Sequence, residues 1–250
     1  MSDPRRVQQQ PAFLLHHRPF RDSSQILEFL SRDFGKVALV ARGSRGPKSK
    51  LAGVLRSFLP LRISWVMRSD LGTLTGAEAA GAPIGLQGDA LFSAWYVNEL
   101  LLNFLHRHDP QPEIHALYEE TLRALGQQDG VVRALRSFEL ELLGLLGYAV
   151  NLEHAAEAEG LDPAGSYDYQ MEQGPVPVAR AEGPLVFTGA LLEGIRRQDF
   201  DDPAVLQAAS RLLRAVIAHH LGGRELKSRK VLMEVHRGRI ARPGQRIPEE

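Results

Sequence analysis

Apolar and polar positions alternate with a period of two along the first 80 or so residues, and at helical spacing along most of the remainder. Phe13-Leu14-Leu15 is a short apolar run that ends at His16-His17-Arg18-Pro19. From Gln25 to Ser31, Leu27 and Phe29 fall on one side and Glu28 on the other. Arg32-Asp33-Phe34-Gly35 reads as a turn, and Lys36 to Arg42 as the returning strand, with Val37, Leu39 and Ala41 on one face. Leu59, Leu61, Ile63 and Trp65 then alternate with Pro60, Arg62 and Ser64, and Ser69-Asp70 turns the chain into Leu71-Gly72-Thr73-Leu74-Thr75. The pattern predicts about five short strands.

Ala80-Gly81-Ala82-Pro83 interrupts this pattern. Asp89 is placed to cap a helix running to about His106, which Asp109-Pro110 ends. A second helix is predicted from about Pro112 to Leu125. A third, capped by Asp129, carries a stripe of Leu135, Phe138, Leu142 and Leu145/Leu146 and stops with Gly147 at the C′ position. The stretch from about Asn151 to Pro184 is rich in Glu, Gly and Pro and reads as irregular. Helices resume near Leu191. Asp202-Pro203 starts one that runs to Leu221, where Gly222-Gly223 stops it. A short basic helix follows, and Pro243 to Glu250 reads as a tail. No internal repeat is present.

Strand count and length suit a small closed β-barrel such as an OB-fold. The predicted class is therefore α+β: an N-terminal OB-fold barrel over residues 1–80, then an all-helical domain over 81–250. An irregular, cysteine-free insertion occupies 151–184.

The composition is that of an ordinary globular protein, with 44% hydrophobic and 24% charged residues. No apolar run approaches the roughly 18 residues that span a bilayer, and the N-terminus lacks a signal-peptide core. With no cysteine there are no disulfides or thiolate metal sites, as fits a cytoplasmic protein. The formal net charge of zero conceals a sorted charge. Met1–Asp70 holds 13 Lys/Arg against 5 Asp/Glu; Leu71–Gly223 holds 9 against 21; Arg224–Glu250 holds 8 against 4. A basic β domain joined to an acidic helical body suggests one surface for polyanions and another for proteins.

Four cations, Arg42, Arg45, Lys48 and Lys50, crowd the Gly/Pro-broken loop Arg42–Lys50. Gly43-x-x-Gly46-Pro47-Lys48-Ser49 lacks the spacing of a nucleotide phosphate loop, and Pro47 removes an N–H that such a cradle uses. The loop suits contacts to a phosphate backbone, against the plainer reading of a solvated, solubilising segment. Phe20 and Phe34, at turns beside charges, are the better candidates for stacking on unpaired bases; Phe58 is a weaker one, and Trp65 shares the apolar face of Leu61 and Ile63 and belongs to the core. The Arg224–Lys230 segment, with Arg224, Lys227, Arg229 and Lys230, is either an extension of a DNA track or a solvated helix end.

Catalytic readings fail. His106-x-His108 and the adjacent pairs His16-His17 and His219-His220 do not make a metal site. Glu139 and Glu141, two apart on a helix, point away from each other and cannot act as a paired acid and base. No nucleophile elbow or dinucleotide fingerprint occurs. No catalytic residue, metal or cofactor is expected. Arg136 borders the apolar stripe of the third helix, where it either receives an acidic, hydrophobic peptide end or pairs with Glu139 or Asp129.

Six segments in order resemble the RecO family of bacterial recombinational repair mediators. They are Ala12–His16, Gly35–Arg45, Phe58–Leu61, Asn98–Leu101, Phe138-Glu139-x-x-Leu142-Leu143-x-x-Leu146-Gly147-Tyr148 and Leu221-Gly222-Gly223-x-x-Leu226-Lys227-Ser228-Arg229. The resemblance implies an OB-fold, a helical body and an insertion that carries a four-cysteine zinc site in some members. Here the stretch expected to hold the first pair reads His154-Ala155-Ala156-Glu157-Ala158-Glu159, so zinc is not expected.

The resemblance further implies binding of single- and double-stranded DNA, annealing of complementary strands, and capture of the acidic C-terminal tail of single-stranded-DNA-binding protein. It also implies cooperation with RecR in loading RecA, in the cytoplasm at the nucleoid. On it, Arg136 with Leu135, Phe138 and Leu142 is the expected tail site. The expected DNA-binding cations are Arg18, Arg21, Lys36, Arg42, Arg45, Lys48, Lys50, Arg56, Arg224, Lys227, Arg229 and Lys230. The competing expectation is a protein-interaction adaptor whose basic block binds an acidic partner rather than DNA.

Overall fold

A computed structural model describes residues 5–46, 49, 51–127, 130–152, 160–180, 182–228 and 230–231. They fall into two compact units, one within Met1–Asp109 plus Glu225–Glu250 and one within Pro110–Arg224.

In the first unit, β1 (Arg5–Phe20), β2 (Ser24–Ser31), β3 (Gly35–Ala41), β4 (Leu61–Met67) and β5 (Leu71–Ala79) close a barrel in the order β1-β2-β3-β5-β4. The four predicted runs after the first are all strands. β1 is much longer than its apolar run: it continues through His16–Phe20 and begins at Arg5. Its C-terminal half pairs with β2 and its N-terminal half with β4, with register shifts at Leu14/His16 and Val7/Gln10. At about 3.3 Å per residue such a strand outruns a small barrel unless it bends, and bulges are where strands bend. Gln9 lies in the second shift with φ 53, and its amide donates to Ser64 Oγ at 3.0 Å. Only Val7 gives Arg5–Gln10 an apolar anchor, which is why alternation did not reveal it.

Leu14, Leu27, Phe29, Val37, Leu39, Leu61, Ile63 and Trp65 fill the barrel. Phe13, Leu15, Ile26, Leu30 and Ala38 are buried too, although they point outward. Part of that outer face is covered by α1 (Gly88–Phe104), whose buried Asn98 donates Nδ2–H to the Leu15 carbonyl at 2.9 Å. α1 therefore groups with the barrel, so the compact units divide at 109/110 although the barrel itself ends at Ala79. The N-cap of α1 is Gln87, and Asp89 sits inside the first turn, where its charge faces the positive helix end.

Between β3 and β4 the chain is less open than its Gly/Pro content suggests. Leu51, Val54 and Leu55 pack against the barrel core, and Leu55 N–H donates to Leu51 O at 2.9 Å. Their i, i+3, i+4 spacing is the signal of a helical turn, and the turn packs its apolar side against the barrel core.

The second unit contains α2 (Pro112–Gly126), α3 (Val131–Leu145), α4 (Gly189–Arg196) and α5 (Pro203–His220). Asp202 caps α5 by accepting from Ala204 N–H at 2.7 Å. α3 and α5 both end as the glycines predict: Tyr148 N–H donates to Leu143 O and Gly223 N–H to Ala218 O, each at 2.8 Å, across left-handed Gly147 and Gly222. The N-cap of α3 is left-handed Gly130; Asp129 lies outside the described residues. Leu143, not Leu145, completes the buried stripe, and Leu145 is exposed.

The insertion is not wholly irregular. β6 (Ser166–Gln170), β7 (Gly174–Pro177) and β8 (Val186–Thr188) form an antiparallel sheet in the order β7-β6-β8. Tyr167, Tyr169 and Phe187 are buried, the Arg211 guanidinium lies 4.7 Å from the Phe187 ring centre, and Tyr167 OH accepts from Asp162 N–H. Packing and ladder hydrogen bonds hold this segment together. His154–Glu159 and Pro243–Glu250 lie outside the described residues.

Candidate nucleic-acid interface

Antiparallel pairing brings the end of β1, the start of β2 and the end of β3 to one end of the barrel, with Phe20 opposite Ser24 and Gln25 opposite Ala41. Arg18 lies near the end of β1 and Arg21 in the turn that follows, with φ 55. Arg42 leaves β3 beside left-handed Gly43 (φ 66). Arg45 N–H donates to Ser23 O at 3.0 Å, tying the basic loop to the β1–β2 turn. Buried Ser44 donates to Ala41 O at 2.9 Å and pins the loop's base. Local backbone geometry thus gathers Arg18, Arg21, Arg42 and Arg45 at one end. All four are exposed or nearly so, and none forms an ion pair with a described residue.

Several other cations of the barrel unit are engaged. Arg32 pairs with Asp33 and Arg107 with Glu28, and Arg62 donates to Gln9 O. Lys36 leaves the interface. Its Nζ turns inward and donates to Leu102 O at 2.7 Å, serving a carbonyl of the last turn of α1. Burial pushes its pKa below the ordinary lysine value. Its place on a strand next to the turn looked equivalent to that of its exposed neighbours, and only the docked helix removes it. Arg56 is exposed and lies apart, beside Ser57, which bridges to Leu14. Lys48, Lys50 and Arg229 lie outside the residues whose placement is described.

The C-terminal cations divide. Arg224 belongs to the helical unit, whereas Lys227 and Lys230 belong to the barrel unit and are exposed. Glu99 of α1 anchors this segment: it accepts from Lys227 N–H at 2.9 Å, Ser228 N–H at 2.8 Å and Ser228 Oγ–H at 2.5 Å. Buried Leu226 accompanies the anchor. The pairing of Glu99 with a site more than a hundred residues away was not legible in either segment alone.

Of the stacking candidates, Phe34 meets Trp65 edge to face at 5.3 Å and Phe58 meets Trp95 at 5.2 Å. Both are packing contacts. Phe20 remains, half-buried, with the Arg21 guanidinium 5.2 Å from its ring centre.

In the helical unit, Arg136 Nη2 donates to Glu139 Oε1 at 2.8 Å, with Glu139 1% exposed. Leu135, Phe138 and Leu142 are core side chains, the last two 1% exposed. They back the helix and do not line an open pocket, because the stripe they form is what α3 buries against its neighbours. An open cavity of about 270 Å³ does lie in this unit, lined by Leu140, Gly144, Val150, Leu152 and Arg196 among others. Leu140 and Gly144 follow Arg136 at i+4 and i+8, on one face of α3. Arg196 is held by two 2.6 Å bonds to Glu193. Among the described residues no group of three or more His, Asp or Glu is placed to hold a metal ion, and no helix is long and apolar enough to cross a membrane.

A closed five-stranded barrel with cations gathered at one end, followed by a helical body, defines an OB-type barrel protein. Residues 5–83 match the family described as Recombination protein O N terminal, and residues 86–230 that described as Recombination protein O C terminal. The chain is 42% identical over 234 residues to the DNA repair protein RecO of Dechloromonas aromatica, covering 92% of this chain and 97% of the relative. It is 42% identical to those of Methylococcus capsulatus (92% and 94% covered) and Nitrosococcus oceani (96% and 99%). The chain belongs to the RecO family.

Proposed function

We propose that the chain is a non-enzymatic DNA repair and recombination mediator. It binds single- and double-stranded DNA, anneals complementary strands, and with RecR helps RecA onto DNA coated by single-stranded-DNA-binding protein. Its place of action is the cytoplasm, at the nucleoid. The observation that carries the reading is a set of cations, Arg18, Arg21, Arg42 and Arg45, that pair with no carboxylate among the described residues and are gathered at one end of the barrel. Such exposed guanidinium groups can neutralise phosphates, and neutralising two strands lowers the repulsion that keeps their bases apart.

Capture of the coat protein's acidic tail is assigned to α3. The open cavity lined by Leu140, Gly144 and Arg196 supports this reading: an apolar side chain enters, and the tail's carboxylates compete with Glu193 for the Arg196 guanidinium, while Arg136, one turn before Leu140 on α3, is paired with Glu139. Fluorescence-monitored annealing of complementary strands tests both halves, bare and then coated with the single-stranded-DNA-binding protein, with and without its tail. Acceleration on coated strands that depends on the tail is the expected result. No acceleration in any condition by the folded protein refutes the mediator reading.

A further inference from the structure

A cleft of about 590 Å³ opens at the basic end of the barrel, within the roughly 300–1,000 Å³ range of small-molecule sites. Its position follows from the topology. β3 and β5 pair in parallel over only three residue pairs, Ala38–Leu71, Leu39–Gly72 and Val40–Thr73. Beyond Val40 the two strands separate, and the gap is bounded on its other side by the β1–β2 turn. Gly72 lets the walls approach, since a Cβ there would stand 2.7 Å from Leu39 Cδ2.

The lining combines three chemistries. Arg21 and Arg42 supply two guanidinium groups that form no ion pair with a described residue. Phe20 and the 36% exposed Leu71 supply apolar surface. Ser23, Ser24 and Thr73 supply hydroxyls. Among the described residues no carboxylate lines the cleft; Asp22 and Asp70 stand next to it in sequence, outside the lining. The Arg21 guanidinium over the Phe20 ring makes a flat cation–aromatic platform.

We infer that this cleft receives one unpaired nucleotide of single-stranded DNA, its phosphate between Arg21 and Arg42 and its base against the Phe20–Arg21 platform. A paired base in a duplex is stacked on its neighbours and cannot reach the platform, whereas an unpaired one can. The cleft therefore gives the barrel a preference for single strands that phosphate contacts alone do not supply. The inference rests on the DNA-binding reading above.

The test is anisotropy titration of the full chain with a single-stranded oligonucleotide and a blunt duplex at one salt concentration. A 2-aminopurine-substituted strand reports base stacking. Phe20→Ala is expected to weaken single-strand binding about tenfold, leave duplex binding within about twofold, and abolish the 2-aminopurine quench. Ser23→Leu narrows the cleft from an exposed turn without adding an aromatic face, so it reproduces the pattern even if Phe20→Ala loses fold. Equal losses on both DNAs, or no loss in either variant, overturn the nucleotide site while the DNA-binding reading stands. If the unaltered chain binds neither DNA, both fall.

Discussion

The Glu99 anchor sets a quantitative expectation. One carboxylate accepts three hydrogen bonds from Lys227 and Ser228, two of them from backbone N–H groups at the start of a helical turn. Hydrogen bonds to a charged acceptor contribute about 1.5–3 kcal/mol each, and loss of a capping side chain costs about 0.5–2 kcal/mol. The site is half-exposed and water replaces part of what is lost, so Glu99→Ala should weaken local docking by about 2–4 kcal/mol. That raises the opening constant of the segment about 30- to 700-fold. Amide hydrogen exchange at Lys227 and Ser228 reads this directly. Glu99→Gln, which keeps an acceptor oxygen but loses the charge, should fall between. The melting midpoint should move little, because the anchored segment contributes nothing to the barrel's core cluster. Unchanged exchange in a folded Glu99→Ala protein would show that buried Leu226 alone docks the segment, and would refute the reasoning.

Further outcomes follow from single contacts. Gly35→Ala forces φ 64 on an L side chain and places its Cβ 1.9 Å from the Asp109 carbonyl oxygen, so unfolding in urea should show a loss of about 3 kcal/mol or more. Lys36→Met removes the bond to Leu102 O and should cost about 1–2 kcal/mol while leaving DNA affinity unchanged; a large loss of affinity would return Lys36 to the interface. The hydrogen bond from Arg196, aided by Arg197, holds Glu193 at about 2, below its ordinary 4.5. A lowered carboxylate pKa stabilises the fold above about 4.5, and the contribution is lost as pH falls toward about 2. Because the side chain is partly exposed to solvent, which screens the pair, the effect should stay under about 1 kcal/mol, and Glu193→Gln should remove it from acid titrations followed by circular dichroism. Arg42→Glu with Arg45→Glu should weaken binding to all DNA sequences and flatten the salt slope by roughly 0.7–0.9 per lost phosphate contact; an unchanged slope would place the DNA elsewhere.

Much of the fold was legible along the chain because its signals are local. Leu27/Phe29, Val37/Leu39 and Leu61/Ile63/Trp65 alternate because each strand has one face in the barrel. Asp202-Pro203, Gly147 and Gly222-Gly223 mark helix ends through caps and left-handed backbone that involve only neighbouring residues. The concentration of arginines near Arg42 was likewise countable, as was the family through its ordered segments. The polar half of β1 and the Tyr167/Tyr169 strand were not legible, because a single apolar residue, or a Gly- and Pro-rich setting, hides the period.

Which cation meets solvent was decided by the tertiary structure alone. Lys36 and Arg42 lie at opposite ends of the same strand, yet one is drawn under the end of α1 and the other lines the cleft. Phe34 and Phe20 occupy similar turns, yet one packs on Trp65 and the other lines the opening between β3 and β5. Periodicity reports the face a residue takes on its own element; whether another element covers that face depends on contacts between segments far apart in the chain. Glu99 with Ser228, and Gly35 with Asp109, are such contacts.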